Sequence, residues 1–197
     1  MVKLDNMLQL LGLLSGFISV ICYLPYIRDI VAKKTKPEKA SWLIWSVLGS
    51  IAFFSQLAKG ATDSLWMPGV QTFGVAVIFL LSLKYGVGGL TKRDLVALLL
   101  AFFGLILWYF TAEAAFALYL VILIDAAGAS LTVIKSYESP GSETMSTWFL
   151  SGLSGFIAIL AVGSWDIILL SYPVYIWLIN WLVVLAMVLG FRKQKPL

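Results

Sequence analysis

Histidine is absent from this chain, and cysteine occurs once, as Cys22. The first absence excludes imidazole proton relays and His-based metal sites. The second excludes an internal disulfide and any Cys-rich metal site. Charge is scarce as well, at 12% of residues. No glycine-rich loop carrying a Lys is present to cradle a nucleotide phosphate, and no carboxylates cluster. With no His, no Cys pair and no acid pair, neither an enzyme nor a bound cofactor or metal is expected.

Apolar residues fill the space. The chain of 197 residues is 61% hydrophobic, with a mean hydropathy of +0.96. A soluble domain of this size cannot hide so much apolar surface, so an all-α membrane protein is expected. Seven apolar runs are long enough to cross a hydrocarbon core as helices, at about 7–26, 40–58, 66–84, 95–111, 115–134, 146–163 and 167–190. The first run has no small-residue cleavage site behind it and continues into Tyr23-Leu24-Pro25-Tyr26. It therefore reads as a span and not as a cleaved signal.

The chain also repeats itself. Residues 37–63 set against 140–166, a shift of 103, give eight identities in 27 positions. They are Pro37/Pro140, Trp45/Trp148, Gly49/Gly152, Phe53/Phe156, Leu57/Leu160, Ala58/Ala161, Gly60/Gly163 and Asp63/Asp166. Chance gives about two, so one unit has been used twice. Spans one to three (1–90) form the first unit and spans five to seven (114–197) the second. Span four (91–113) joins them. A three-span unit fused directly to its copy inverts; one linking span keeps both units parallel, which predicts a 3+1+3 order.

Twelve of the fourteen basic residues fall on one side: Arg28, Lys33, Lys34, Lys36, Lys39, Lys84, Lys92, Arg93, Lys135, Arg192, Lys193 and Lys195. The positive-inside rule then places the N-terminus outside and the C-terminus in the cytoplasm. The net charge of +4 is thus a topology signal and a lipid-headgroup contact spread over several loops, not a nucleic-acid surface. Trp42, Trp45, Trp66 and Trp108 sit where an aromatic belt is expected. The compact loops fit a multi-pass protein of the cell (inner) membrane.

Several polar residues lie deep in the spans. Asp125 is ten residues from each end of its run, about 15 Å from either surface. A carboxylate there costs several kcal/mol unless it is protonated, paired or facing water. Two roles fit: proton coupling or a solute contact on one side, a structural hydrogen bond to a neighbouring helix on the other. Its repeat partner is Cys22, so the two halves differ here. Gln71 and Asn180 each lie thirteen residues before a basic residue, Lys84 and Lys193, that ends the third span of its half. That puts both amides near mid-membrane, six residues out of the 103-residue register, where they can bind a polar solute or bond between helices. Trp45 and Trp148 are each followed at i+4 and i+8 by Gly and Phe, which preserves one helix face. The pair suits a flat or sugar-like ligand, and packing explains the face equally. Pro25 and its repeat partner Gly128 weaken their helices at matched points. With Tyr26 they are candidates for a hinge or gate, or for a simple packing kink. Arg28 and Asp29 lie just beyond.

The 3+1+3 order, with proline in the first span, resembles the SWEET and PQ-loop transporter superfamily along essentially the whole chain. Tyr23-Leu24-Pro25-Tyr26 is similar to the first PQ motif, with Tyr26 in place of its glutamine; the second motif lacks its proline. The stretch Leu123 to Ser130 resembles cystinosin-like exporters, which implies a proton-coupling role for Asp125. Asn180 matches the substrate-contacting Asn of the SWEET third span, and Gln71 is a departure with related chemistry. Trp42-Leu43-Ile44-Trp45 has the Trp spacing of Pnu-type vitamin transporters, with Gly49 where that motif has Asn or Asp. The resemblance implies a carrier for a small polar solute (a sugar, amino acid or vitamin), passive or ion-coupled, working by rocking of the two halves. The expected partners are that solute and the lipid bilayer; a homo-oligomer is compatible with the repeat and not required by it. The alternative is a non-transporting receptor or accessory protein on the same fold. A carrier predicts a polar cavity at mid-depth; a receptor predicts a packed centre.

Overall fold

A computed structural model describes residues 2–33, 37, 39–142 and 144–194. Lys34, Lys36 and Lys195 of the basic set lie outside the described residues. The described residues form seven α-helices: α1 (Val2–Val31), α2 (Lys39–Ala58), α3 (Trp66–Tyr85), α4 (Lys92–Thr111), α5 (Ala114–Glu138), α6 (Met145–Ala161) and α7 (Ile167–Gln194). Each overlies one of the seven apolar runs. Short 3-10 turns at Asp63–Leu65 and Pro140–Ser142 complete the order.

Among the described residues, five helices are long and apolar enough to cross a membrane. The two shorter apolar segments, Leu98–Thr111 and Met145–Ala161, are where the sequence expected full spans. α4 itself runs for 20 residues, Lys92–Thr111, and carries no charge from Leu95 onward. α6 has 17 residues and reaches about 26 Å, a little under the hydrocarbon thickness.

The outer surface is apolar where a soluble protein would be polar. Phe73, Leu80, Phe102, Phe110 and Ile167 are all more than half exposed. Single exposed apolar residues are ordinary, but a surface made of them requires a lipid solvent. The chain is a multi-pass membrane protein.

Packing follows a ring. α1 packs on α3 and α3 on α2; α2 meets α5; α5 packs on α7 and α7 on α6; α6 returns to α1. α4 stands on α5 and α2. Exchanging α1, α2 and α3 for α5, α6 and α7 carries this pattern onto itself. In each half the third helix lies between the first and the second.

Repeated residues make repeated contacts. Gly49 of α2 lies against Thr72 of α3, and its counterpart Gly152 of α6 lies against Asn180 and Trp181 of α7. In both places the missing Cβ lets the helices approach closely. These landmarks align α3 with α7 six residues beyond the 103-residue shift, which sets Gln71 opposite Asn180. Pro37 and Pro140 are both fully buried. Pro37 packs its carbonyl near Gly86 at the end of α3, and Pro140 packs its ring on Gly190 of α7. Asp166 caps α7, accepting from the backbone N–H groups of Ile168 (2.8 Å) and Leu169 (3.0 Å).

The two seams between the halves differ in chemistry. Along α1–α6 the contacts are small and polar: the Ser19 and Ser154 hydroxyls are 2.7 Å apart, Ser154 donates to the Ser15 carbonyl at 2.8 Å, and Cys22 Sγ lies 3.1 Å from the Ser151 hydroxyl. Along α2–α5 the buried residues are Leu48, Ile51, Leu118 and Val121. They belong to one apolar cluster that takes in Met67, Ala101, Ala158 and Tyr172 from the remaining helices of the centre.

Candidate functional site

Asp125 interrupts the apolar α2–α5 seam. It lies on the α5 stripe that also carries Leu118, Val121 and Ile122, spaced by three and four residues and turned to the core. The Tyr175 hydroxyl of α7 donates to its Oδ2 at 2.6 Å. The Trp45 indole N–H of α2 is its second hydrogen-bond partner, and that group can only donate. One carboxylate therefore ties α5 to both α2 and α7. It is half-buried, neither sealed off nor open to bulk solvent.

An aromatic wall continues from Trp45. The Trp42 ring meets Trp45 edge-on, with centroids 5.1 Å apart and planes at 86°. Tyr26 of α1 packs on Trp42 at 5.2 Å and 41°. On the other flank Tyr172 lies 6.4 Å from Tyr175. The rings run from α1 across α2 to α7, with the carboxylate of α5 among them. The wall crosses from one half of the ring of helices to the other.

The two amides occupy equivalent stripes. Gln71 falls in register with buried Met67, Gly74, Ile78 and Ser82 on α3, opposite exposed Phe73 and Leu80. Asn180 falls in register with buried Ile176, Val183 and Met187 on α7. Both face inward. Asn180 turns its amide back to its own helix, donating to the Ile176 carbonyl at 2.8 Å. The Gln71 Nε2 is buried and has no hydrogen-bond partner. Among the described contacts none joins either amide to Asp125, so the structure gathers Asp125 with Trp45 and leaves the amides as separate interior groups. Trp148 is half-buried on α6.

Of the hinge or gate candidates, Pro25 lies inside α1, which continues to Val31. Gly128 has no neighbouring atom within 4 Å of the place a Cβ would take. Tyr26 belongs to the aromatic wall. No ion pair joins Arg28 to Asp29 among the described residues.

Two grooves lie on the α4 side. One of about 450 Å³ is bounded by α2, α3 and α4 and lined by Leu43, Ser50, Phe54, Phe79 and Trp108 among others. The second, about 390 Å³, is lined by Leu105, Trp108, Tyr109 and Ala112. Neither includes a residue expected to bind solute.

The α2–α5 seam is latched at one end. Lys59, just past α2, donates to Glu113 at 2.8 Å. Glu113 also caps α5 by accepting from the Ala115 N–H. Gln56 adds a bond from α2 to the Ile168 carbonyl of α7 at 3.2 Å. The Lys59 contact, and then the Ala115 N–H, hold the Glu113 carboxyl below its usual value. A depressed carboxyl contributes stability above its unfolded-state pKa and loses it as pH falls through the folded value. The Tm gap between the wild type and Glu113→Gln should therefore shrink below about pH 4 and with added salt. A gap that persists in acid would mean the contact is not ionic.

No known family, curated protein or solved structure matches this chain. The functional reading rests on the residues themselves. Tyr172 and Tyr175 were not singled out in the sequence, and Trp42 stood only as a belt and spacing residue. A signal existed: a tyrosine hydroxyl within an apolar span needs a polar partner, and Asp125 was the unpaired group at matching depth.

Proposed function

We propose that the protein is a small-molecule membrane transporter, with two pseudo-symmetric triple-helix bundles alternating around a site at Asp125. The observation that carries this reading is the placement of the Asp125–Trp45–Tyr175 cluster. It bridges helices of both halves, at the middle of helix α5, in a packing pattern that maps onto itself under exchange of the halves. An element with two such arrangements gives a solute alternate access to the two sides. In this reading α4 is the linker of a 3+1+3 order, the N-terminus is outside, and the protein sits in the cell membrane. Transport is passive or proton-coupled, Asp125 carrying the proton in the second case. The resemblance to SWEET and PQ-loop carriers supports the same assignment.

The buried Gln71 amide with no partner adds support, because a polar group left over in a lipid-surrounded interior calls for a ligand or water. A competing reading draws on the apolar cluster at the centre and on Asn180 bonded to its own helix. These suit a non-transporting receptor or accessory protein. Counterflow in proteoliposomes, with a panel of labelled amines, amino acids, sugars and vitamins, separates the two. Saturable exchange of any member, absent from empty liposomes, supports transport; no exchange across the panel supports the receptor.

A further inference from the structure

The cluster around Asp125 has a chemistry that narrows its ligand. Both hydrogen-bond partners donate: the Tyr175 hydroxyl at 2.6 Å and the Trp45 N–H. Two donors aimed at one carboxyl group match an ionised carboxylate, which only accepts. Yet both partners are neutral, and among the described residues no basic side chain pairs with this carboxylate, so the negative charge has hydrogen bonds and no counter-charge. In a low-dielectric interior that leaves a net cost that a cation relieves. An ionised carboxylate has about four acceptor sites, of which these bonds use two.

The neighbouring rings suit the same ligand. Trp42 and Trp45 stand nearly perpendicular at 5.1 Å, forming a corner, with Tyr26 extending one side. A cation is attracted to the face of an indole ring, and the two indoles stand together on the Asp125 side of α2. The cluster is half-buried, which leaves it partly desolvated and still reachable.

Resting on the transport reading above, we propose that this site takes an organic cation, an amine or quaternary-ammonium solute whose charge sits at Asp125 and whose body lies against Trp45 and Trp42. A neutral sugar would compete with Tyr175 and Trp45 for the carboxylate and leave its charge uncompensated. An anionic solute would be repelled.

Choline and its neutral carbon isostere, 3,3-dimethylbutan-1-ol, have the same shape and differ in charge. Binding of each to the purified full-length protein is read by tryptophan fluorescence and calorimetry. Choline is expected to bind at least about tenfold more tightly than the isostere. Asp125→Asn is expected to erase that preference, and Trp45→Leu to reduce it several-fold. Equal binding of the two probes overturns the proposal, and this comparison needs no variant. A preference that survives in Asp125→Asn overturns it too, because the cation would then sit elsewhere. Counterflow keeps the two readings apart. Selective choline binding without exchange of any solute leaves the cation site standing and removes the transporter. Exchange of neutral solutes with no preference for choline does the reverse.

Discussion

Asp125→Asn is expected to lower solute uptake by about 30-fold or more, since removing one member of a buried charged contact costs about 2–5 kcal/mol of binding. The protein should still fold. Asparagine keeps one carbonyl oxygen for Tyr175 or Trp45 and turns an NH2 toward the other donor, a loss of about 1–3 kcal/mol. Uptake in proteoliposomes and thermal unfolding in detergent measure the two effects separately. Asparagine does not titrate, so any pH dependence of uptake that Asp125 carries disappears in the variant. Unchanged pH dependence would remove Asp125 as the proton carrier. A parallel collapse of uptake and folding would make the carboxylate a structural tie between α2, α5 and α7 and nothing more.

Gly12→Ala is expected to be among the most destabilising single changes in the chain. A Cβ at this position would collide with the carbonyl oxygen of Asp63, and the obstacle is backbone. No rotamer change relieves it, so α1 must move off the turn that starts α3. Overpacking of this kind costs about 1–3 kcal/mol and occasionally more. The unfolding midpoint should fall by several degrees, about 3–10 °C. Gly128→Ala is the matched control. Nothing lies within 4 Å of its Cβ site, and Ala is the better helix former by about 1 kcal/mol. That variant should hold or gain stability. If it folds well and yet transports slowly, flexibility at Gly128 is used in the cycle. If Gly12→Ala melts like the wild type, the close approach of α1 to Asp63 is not present in the membrane.

The helices were legible because an apolar run in lipid leaves few alternatives: the backbone must bond to itself. All seven runs became helices, with ends within a few residues of those expected. The repeat was legible through Gly and Pro, whose roles depend on the backbone and survive divergence, as Gly49/Gly152 and Pro37/Pro140 show. α6 ends at Ala161, two residues before the end of its apolar run. Asp125 was found because a lone charge in an apolar run stands out. Its partners were harder to see. Tyr175 lies fifty residues away along the chain, and only the packing of α7 on α5 brings it close. Both amides lie on inward faces of their helices. Their separation from Asp125 depends on side-chain direction, which spacing along one helix does not report.

The two seams differ in a way that two separate, identical three-helix chains could not. Such chains must present the same residues twice. Any acid placed at one contact would appear at the other, and two like charges in one lipid-bound interior would oppose each other's ionisation. In the proposed 3+1+3 reading α4 joins the halves and lifts that restriction. One edge is then free to be a serine-lined fastening, while the other carries Asp125. Joined halves can hold one charge where a symmetric pair would have to carry two.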